Sequence, residues 1–296
     1  MTYRSVFRSG LFKGQTVIVT GGGSGIGRCT AHELCSLGAH VVLVGRKREK
    51  LVGVADELLA DGGECSIEPL DIRDEEAVRT AIGRVVSKRG RIHALVNNAG
   101  GQFPSPLVGI SKKGFEAVVA TNLTGGFLMA REVFLQSMSR EGGAIVNMLA
   151  DMWGGMPGMG HSGAARAGML NLTQTAAVEW AAAGVRVNAV APGWVASSGL
   201  DTYENPMFRA MIPELKSRVP LQRLSTEAEV SAAIVFLLSD AAAFITGEVV
   251  RIDGGASCNA KMLPLSPHDR SVPFQGFHRA ALPDVLRGGG GAKKDE

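Results

Sequence analysis

Gly14-Gln-Thr-Val-Ile-Val-Thr-Gly-Gly-Gly-Ser-Gly-Ile-Gly-Arg28 joins an apolar run to a glycine turn and a helical pattern. Thr16 to Thr20 is short and β-branched, which reads as a buried strand. The turn follows with Gly21, Gly23, Ser24, Gly25, Ile26 and Gly27 in a Gly-x3-Gly-x-Gly spacing. Cys29, Ala31, Leu34 and Leu37 then recur at helical intervals. Glycine permits positive φ and removes the Cβ that keeps backbone away from a ligand. A helix starting at such a turn points free N–H groups and its positive dipole end at an anion, typically a pyrophosphate. A plain tight loop is the competing reading.

The rest of the chain alternates strand and helix patterns. Strands are expected at 16–20, 40–44, 64–70, 93–96, 143–149, 185–191 and 248–252, with helical stretches between them. That alternation predicts an α/β fold: a Rossmann-type, doubly wound, seven-stranded parallel sheet flanked by helices on both faces. The chain has 296 residues with 45% hydrophobic content, enough for one large domain with a sizeable core. Residues 14–256 carry the strand–helix pattern. Residues 1–13 read as a loose arm. Residues 257–296, rich in Pro, Gly and charge, read as a flexible tail. Residues 194–224 lack strand character and hold Trp194, Tyr203, Phe208 and Met211, which suits a mobile lid on the substrate side.

Composition excludes several functions. Net charge is +3 and no basic run forms a face, which argues against nucleic acid. No run of about 18 apolar residues predicts a membrane span. The N-terminus has no apolar signal-peptide core, which points to the cytoplasm. Cys29, Cys35, Cys65 and Cys258 lack metal-ligand spacing, so three read as core thiols in a reducing compartment and no metal site is expected.

The second strand ends at Gly45-Arg46-Lys47-Arg48, where an acidic residue would bond an adenosine 2′-hydroxyl. Arg46 stands there instead and suits a 2′-phosphate, favouring NADP(H), with NAD(H) possible; a solvated basic turn is the alternative. Asp71-Ile72 closes the third strand, where Asp71 either accepts from the adenine amine or caps the next helix. After the fourth strand, Asn97-Asn98-Ala99-Gly100-Gly101 offers amides to lock the backbone and bare backbone to approach a ring. Asn122 falls mid-helix among apolar residues, as a core amide or as the holder of a relay water.

Together, Thr20 to Gly27, Asp71-Ile72, Asn97 to Gly100, Asn122, Asn188-Ala-Val-Ala-Pro192-Gly193 and Asp253-Gly-Gly255 resemble the short-chain dehydrogenase/reductase family over residues 12–256. The resemblance implies coenzyme contacts from Thr20 to Gly27, Asn98, Ala99, Gly100, Pro192 and Gly193. It also implies a catalytic Asn, Ser and Tyr-x-x-x-Lys, and association as homotetramers. This sequence departs there. The Tyr slot holds Ser162, the Lys slot holds Arg166, and the serine slot near Leu149-Ala150 has no hydroxyl. Arg166 still suits ribose hydroxyls. The segment Ala150 to His161 and the run His161-Ser-Gly-Ala-Ala-Arg166 resemble bacterial citronellol/citronellal dehydrogenases and, less fully, peroxisomal-type trans-2-enoyl-CoA reductases. In the latter a Tyr and Lys usually occupy the places of Leu170 and Gln174.

A serine hydroxyl is too weak an acid to replace a phenol. Three sources of the proton stay open: Asp151 or His161 beside the glycine segment; Tyr203 from the lid, which otherwise packs on Trp194; or water held by Asn122, with Ser162 donating to a carbonyl. Met152, Trp153, Met156, Met159, Trp194, Met207, Phe208 and Met211 suit a small hydrophobic substrate. The expected activity is oxidoreduction of an acyclic terpenoid alcohol or aldehyde. An enoyl-CoA reductase and a silent nucleotide-binding subunit are the alternatives. The apolar stretch Ala164–Ala183 suggests self-association.

Overall fold

Seven strands cross one sheet in the order β3-β2-β1-β4-β5-β6-β7, and each neighbouring pair is parallel. They are β1 (Thr16–Thr20), β2 (His40–Gly45), β3 (Glu64–Pro69), β4 (Ala94–Asn97), β5 (Gly143–Met148), β6 (Val185–Pro192) and β7 (Val249–Ile252). The computed structural model describes residues 2–204, 206–258 and 264–287, with Met207 by its backbone alone. The side chain of Met207 and the glycine run at 288–291 therefore lie outside the described residues.

Alternation along the strands builds two cores. Val17 and Val19 of β1 face one side, Ile18 the other, because successive side chains leave opposite faces. The first core joins Val41, Leu43 and Val96 to α1 (Gly25–Ser36), α2 (Arg48–Ala60) and, later in the chain, α9 (Glu227–Leu238). The second joins Val42, Leu95 and Ile145 to α3 (Glu75–Arg89) and α5 (Gly125–Val133). Strand order reverses between β1 and β4, which opens a crevice at their carboxyl ends.

The helical stretch around Asn122 is interrupted twice. α4 (Lys112–Val119) passes through a π-helical turn at Ala120–Thr124 into α5, and a second π turn at Phe134–Met138 leads to α6 (Ser139–Glu141). Such bulges re-aim side chains and often mark functional positions. The first contains Asn122. α7 (Gly160–Glu179) follows β5. The lid holds short helical turns and α8 (Pro206–Met211), and Thr226 and Glu229 form the capping box that starts α9.

Two expectations about the termini are corrected. The N-terminal arm is not loose: Tyr3 and Phe12 are buried. Tyr3 and Ser5 donate to the buried carboxylate of Glu33 at 3.1 and 2.7 Å, and Ser231 of α9 donates at 2.5 Å. Burial raises the Glu33 pKa, and three hydroxyl donors satisfy its oxygens. Nor is the described part of the tail free. Phe274 N–H donates to Glu229, Thr226 Oγ1 donates to the Phe274 carbonyl, and Phe277 is buried against Tyr3, Cys29 and Ala228. The described part of the tail ends in α10 (Asp284–Arg287), whose first two N–H groups donate to Asp201 at 3.0 Å each.

Candidate active site

The carboxyl ends of β1 and β4 are pinned together by side chains. Thr20 Oγ1 accepts from Asn98 N and Ala99 N at 3.0 and 2.9 Å and donates to the Val96 carbonyl. Asn98 Nδ2 donates to the Thr20 carbonyl at 2.9 Å. Asn98 thus locks the backbone as its residue type suggests. Asn97 points away and donates to the Gly126 carbonyl and Asn147 Oδ1.

Above this staple the glycine turn wraps tightly. Gly21 has φ +66°, and a Cβ on Gly27 would lie 2.4 Å from the Gly21 carbonyl oxygen and 2.5 Å from Asn98 Nδ2. Ser24 is the N-cap of α1, is exposed, and makes no side-chain cap bond. The first N–H groups of α1 lack intrahelical partners and point into the crevice mouth. Ile26 packs against the core below. Such a turn has the form of an anion cradle, and a diphosphate would fit it.

Beside the cradle, Arg46 and Lys47 are exposed at the end of β2. Asp71 does not cap α3; Asp74 does, accepting from Ala77 N at 3.0 Å. The Arg73 guanidinium grips Asp71 and holds its carboxyl below the usual range, with burial opposing and Arg46 adding to the effect. Ile72 is buried under this turn.

Deeper in the crevice lie two polar groups that the protein leaves incomplete. Arg166 is buried on α7, with no carboxylate partner among the described residues. NH1 donates to the Met148 carbonyl at 2.5 Å, and Nε has no partner. Burial pulls its guanidinium down to about 10. A Cβ on Gly100 would lie 2.6 Å from Arg166 NH2 and 3.0 Å from Asn122 Oδ1, so glycine lets the β4 loop close over both. Asn122 Oδ1 accepts from Gly101 N at 2.8 Å, while its buried Nδ2 has no partner. Orphaned donors at Arg166 and Asn122, next to an anion cradle, fit a nicotinamide dinucleotide whose ribose hydroxyls would satisfy them.

Ser162 lies one turn before Arg166 and is fully buried. Its hydroxyl donates to Gln102 Oε1 at 2.6 Å, and Gln102 Nε2 donates to the Tyr203 hydroxyl oxygen at 3.0 Å. The Gln102 amide therefore links the phenol of Tyr203 to Ser162, the position that corresponds to the family's tyrosine. Burial raises the Tyr203 pKa, and the Gln102 bond offsets part of that. Tyr203 packs edge-on against Phe208, with ring centroids 4.8 Å apart, and Phe208 in turn meets Trp194 at 6.1 Å. Around them Met156, Met159, Leu200, Ile212, Leu215, Val285 and Leu286 form an apolar cluster.

The other candidates sit elsewhere. Asp151 donates its N–H to the Pro192 carbonyl and faces Asp253 and Arg251, and its pKa is raised by burial and by Asp253. Gly193 N donates to the Ile252 carbonyl, which ties β6 to β7. His161 is fully buried, edge-on to Phe103 at 4.4 Å, and neither ring nitrogen has a partner among the described residues. It does not cap α7, whose N-cap is Met159.

Sequence reasoning missed Gln102 and Glu227. Glu227 opens α9, and its Oε1 lies 3.9 Å from where a Gly25 Cβ would stand, beside the cradle. Burial raises its pKa to about 7, with the Arg28 charge opposing; Cys29 is the other titratable group that feels it. Below that value Glu227 is neutral; above it, its charge repels a diphosphate. Affinity for NAD+, whose diphosphate keeps its charge over this range, should therefore fall about tenfold between pH 6 and 8 by calorimetric titration. Glu227→Gln should remove that dependence.

The comparisons agree with this geometry. A family model described as "Enoyl-(Acyl carrier protein) reductase" matches residues 21–257. The chain belongs to the short-chain dehydrogenase/reductase family and is an NAD(P)-dependent oxidoreductase. It is 65% identical to the solved citronellol catabolism dehydrogenase (AtuB) of Pseudomonas aeruginosa PAO1, with TM-score 0.78 over 86% of this chain and 100% of that one. It is 38% identical to the probable 2,4-dienoyl-CoA reductase of Bacillus subtilis, over 83% of this chain and 97% of the relative. A putative NAD(P)-dependent gluconate 5-dehydrogenase from Beutenbergia cavernae, solved with NADP at low occupancy, is 33% identical with TM-score 0.77, covering 83% and 98%. Among the described residues no helix is long and apolar enough to cross a membrane.

Proposed function

We propose that the protein is an NADP(H)-preferring oxidoreductase of acyclic terpenoid alcohols and aldehydes such as citronellol and citronellal. The observation that carries this reading is the apolar lid cluster around the Tyr203–Gln102–Ser162 chain. An unbranched or methyl-branched chain needs such lining, whereas a sugar would leave its hydroxyls unsatisfied against Met156, Met159, Leu200 and Phe208. The 65% identity to a citronellol catabolism dehydrogenase supports the same substrate class.

The bound nicotinamide would supply or accept a hydride at the substrate carbon. Thr20 to Gly27, Asn98, Ala99, Gly100 and Arg166 would hold the coenzyme, Arg166 and Asn122 toward its ribose. Tyr203 is the group we assign to the proton. Its oxygen accepts from Gln102, so its own O–H is left to donate to a developing alkoxide. Gln102 cannot pass a proton along its amide, so it and Ser162 act as positioning residues. A buried phenol stays protonated near neutral pH, which favours donation to an aldehyde; the reverse oxidation should speed up as pH rises.

An enoyl-CoA substrate is the second reading, favoured by the dienoyl-CoA reductase relative. Self-association as a homotetramer belongs to the same proposal, supported by Leu135 of the second π turn and Val178 of α7, which are 58% and 78% exposed. A cytoplasmic location belongs to it as well. A turnover panel tests the substrate class: citronellol and geraniol with NADP+ should exceed both glucose with NADP+ and crotonyl-CoA with NADPH by at least about tenfold. Fastest turnover on the thioester would transfer the assignment to the second reading. In the same assay, Arg46→Ala with Lys47→Ala should raise KM for NADP+ about 10–100-fold and leave NAD+ nearly unchanged.

A further inference from the structure

Far from the crevice, the tail meets the body through three potential metal ligands. His32 lies on α1, Asp61 at the C-cap of α2, and His278 in the tail. Their ligand atoms all lie within 4.8 Å of one another. Asp61 Oδ2 is 3.3 Å from His32 Nδ1 and 2.8 Å from His278 Nε2. A tetrahedral zinc site with bonds of about 2.0–2.1 Å separates neighbouring ligand atoms by about 3.3 Å.

The surroundings are those of a built site. The His32 side chain is 1% exposed and that of His278 is 9% exposed. Neither His278 nitrogen makes a hydrogen bond among the described residues. The far nitrogen of His32, Nε2, lies 3.1 Å from Glu57 Oε2, and Arg28 holds that carboxylate at 2.7 and 2.8 Å. A carboxylate behind a histidine fixes the tautomer that leaves Nδ1 free as a ligand. Arg279 grips both Asp61 oxygens, NH2 donating to Oδ1 at 2.7 Å and Nε to Oδ2 at 3.2 Å, and the second lone pair of Oδ2 is the one the two imidazoles approach. A groove of about 500 Å³, lined by Thr2, Ser5, His32 and Asp61 among others, gives an entry path and room for a water as fourth ligand.

We propose that His32, Asp61 and His278 bind one Zn²⁺ ion, which fastens the C-terminal tail to α1 and α2. The ion neutralises the uncompensated polar atoms where three distant segments meet. Through the tail it also steadies α10 against Asp201 of the lid.

The test uses the full chain with any affinity tag removed, stripped with a chelator and titrated with Zn²⁺ against a chromophoric competitor. Wild type should bind one equivalent per chain, and His278→Ala should weaken that site by at least about 100-fold. His278→Gln and Asp61→Asn should do the same. Co²⁺ loading should give the visible absorption of a tetrahedral site in wild type and not in His278→Ala. Zn²⁺ should also slow proteolytic removal of the tail in wild type alone. Binding of no stoichiometric zinc by wild type would overturn the proposal. So would unchanged affinity in His278→Ala with its melting temperature intact.

Discussion

Gly27→Ala should abolish tight coenzyme binding and destabilise the fold. Its Cβ would stand 2.4 Å from the Gly21 carbonyl oxygen, 2.9 Å from the Gly21 carbonyl carbon and 2.5 Å from Asn98 Nδ2. Two of these atoms are backbone, so no rotamer change relieves them. Relief requires moving the turn off the end of β1 or breaking the 2.9 Å bond from Asn98 to Thr20. Overpacking of this kind costs about 1–3 kcal/mol. Displacing the cradle by about 1 Å costs a further factor of about 100 in placing the reactants. Calorimetric titration with NADP+ should show at least that loss, and scanning calorimetry a lower melting temperature. Gly53→Ala is the control. It lies on α2 with nothing within 4 Å of the new methyl, so coenzyme binding should not change. Helix propensity alone should raise its stability by up to about 1 kcal/mol.

Arg166→Met should stabilise the free protein and nearly inactivate it. Among the described residues the buried guanidinium has one acceptor, the Met148 carbonyl, and its Nε has no partner. A buried cation without a counter-charge carries a desolvation penalty of several kcal/mol. Methionine fills a similar volume without that penalty, so stability should rise by about 1–4 kcal/mol. The same change removes the guanidinium that lies against Gly100 beside Asn122. Turnover should fall about 100- to 1000-fold, in the range for loss of one preorganised donor. A lower melting temperature with activity retained would mean that Arg166 is a structural residue and that the coenzyme lies elsewhere.

Much of this was legible in the sequence because it rests on local chemistry. The β1 run and the glycine turn each need only neighbouring residues. The resemblance to the family set Ser162 and Arg166 in its Tyr and Lys slots, one helical turn apart on α7. What escaped depends on distant partners. Gln102 matters because Ser162 and Tyr203 arrive from 60 and 101 residues away. Glu227 is ordinary until α9 places it beside Gly25. The arm and tail looked free because their anchors, Glu33, Glu229 and Asp61, lie on other elements. Asp71 was offered as a helix cap, yet Arg73 two residues on takes its carboxylate and leaves the cap to Asp74.

The substitution of a lid phenol for the customary helix tyrosine is the claim on which the chemistry rests. Single-turnover reduction of citronellal by NADPH, followed in Tyr203→Phe, tests it most directly, with Ser162→Ala, His161→Gln and Asp151→Asn alongside. The account predicts a loss of about 100- to 10,000-fold in Tyr203→Phe, a smaller loss in Ser162→Ala, and near wild-type rates in the other two. A wild-type rate in Tyr203→Phe, with the loss falling instead on His161→Gln or Asp151→Asn, would contradict it.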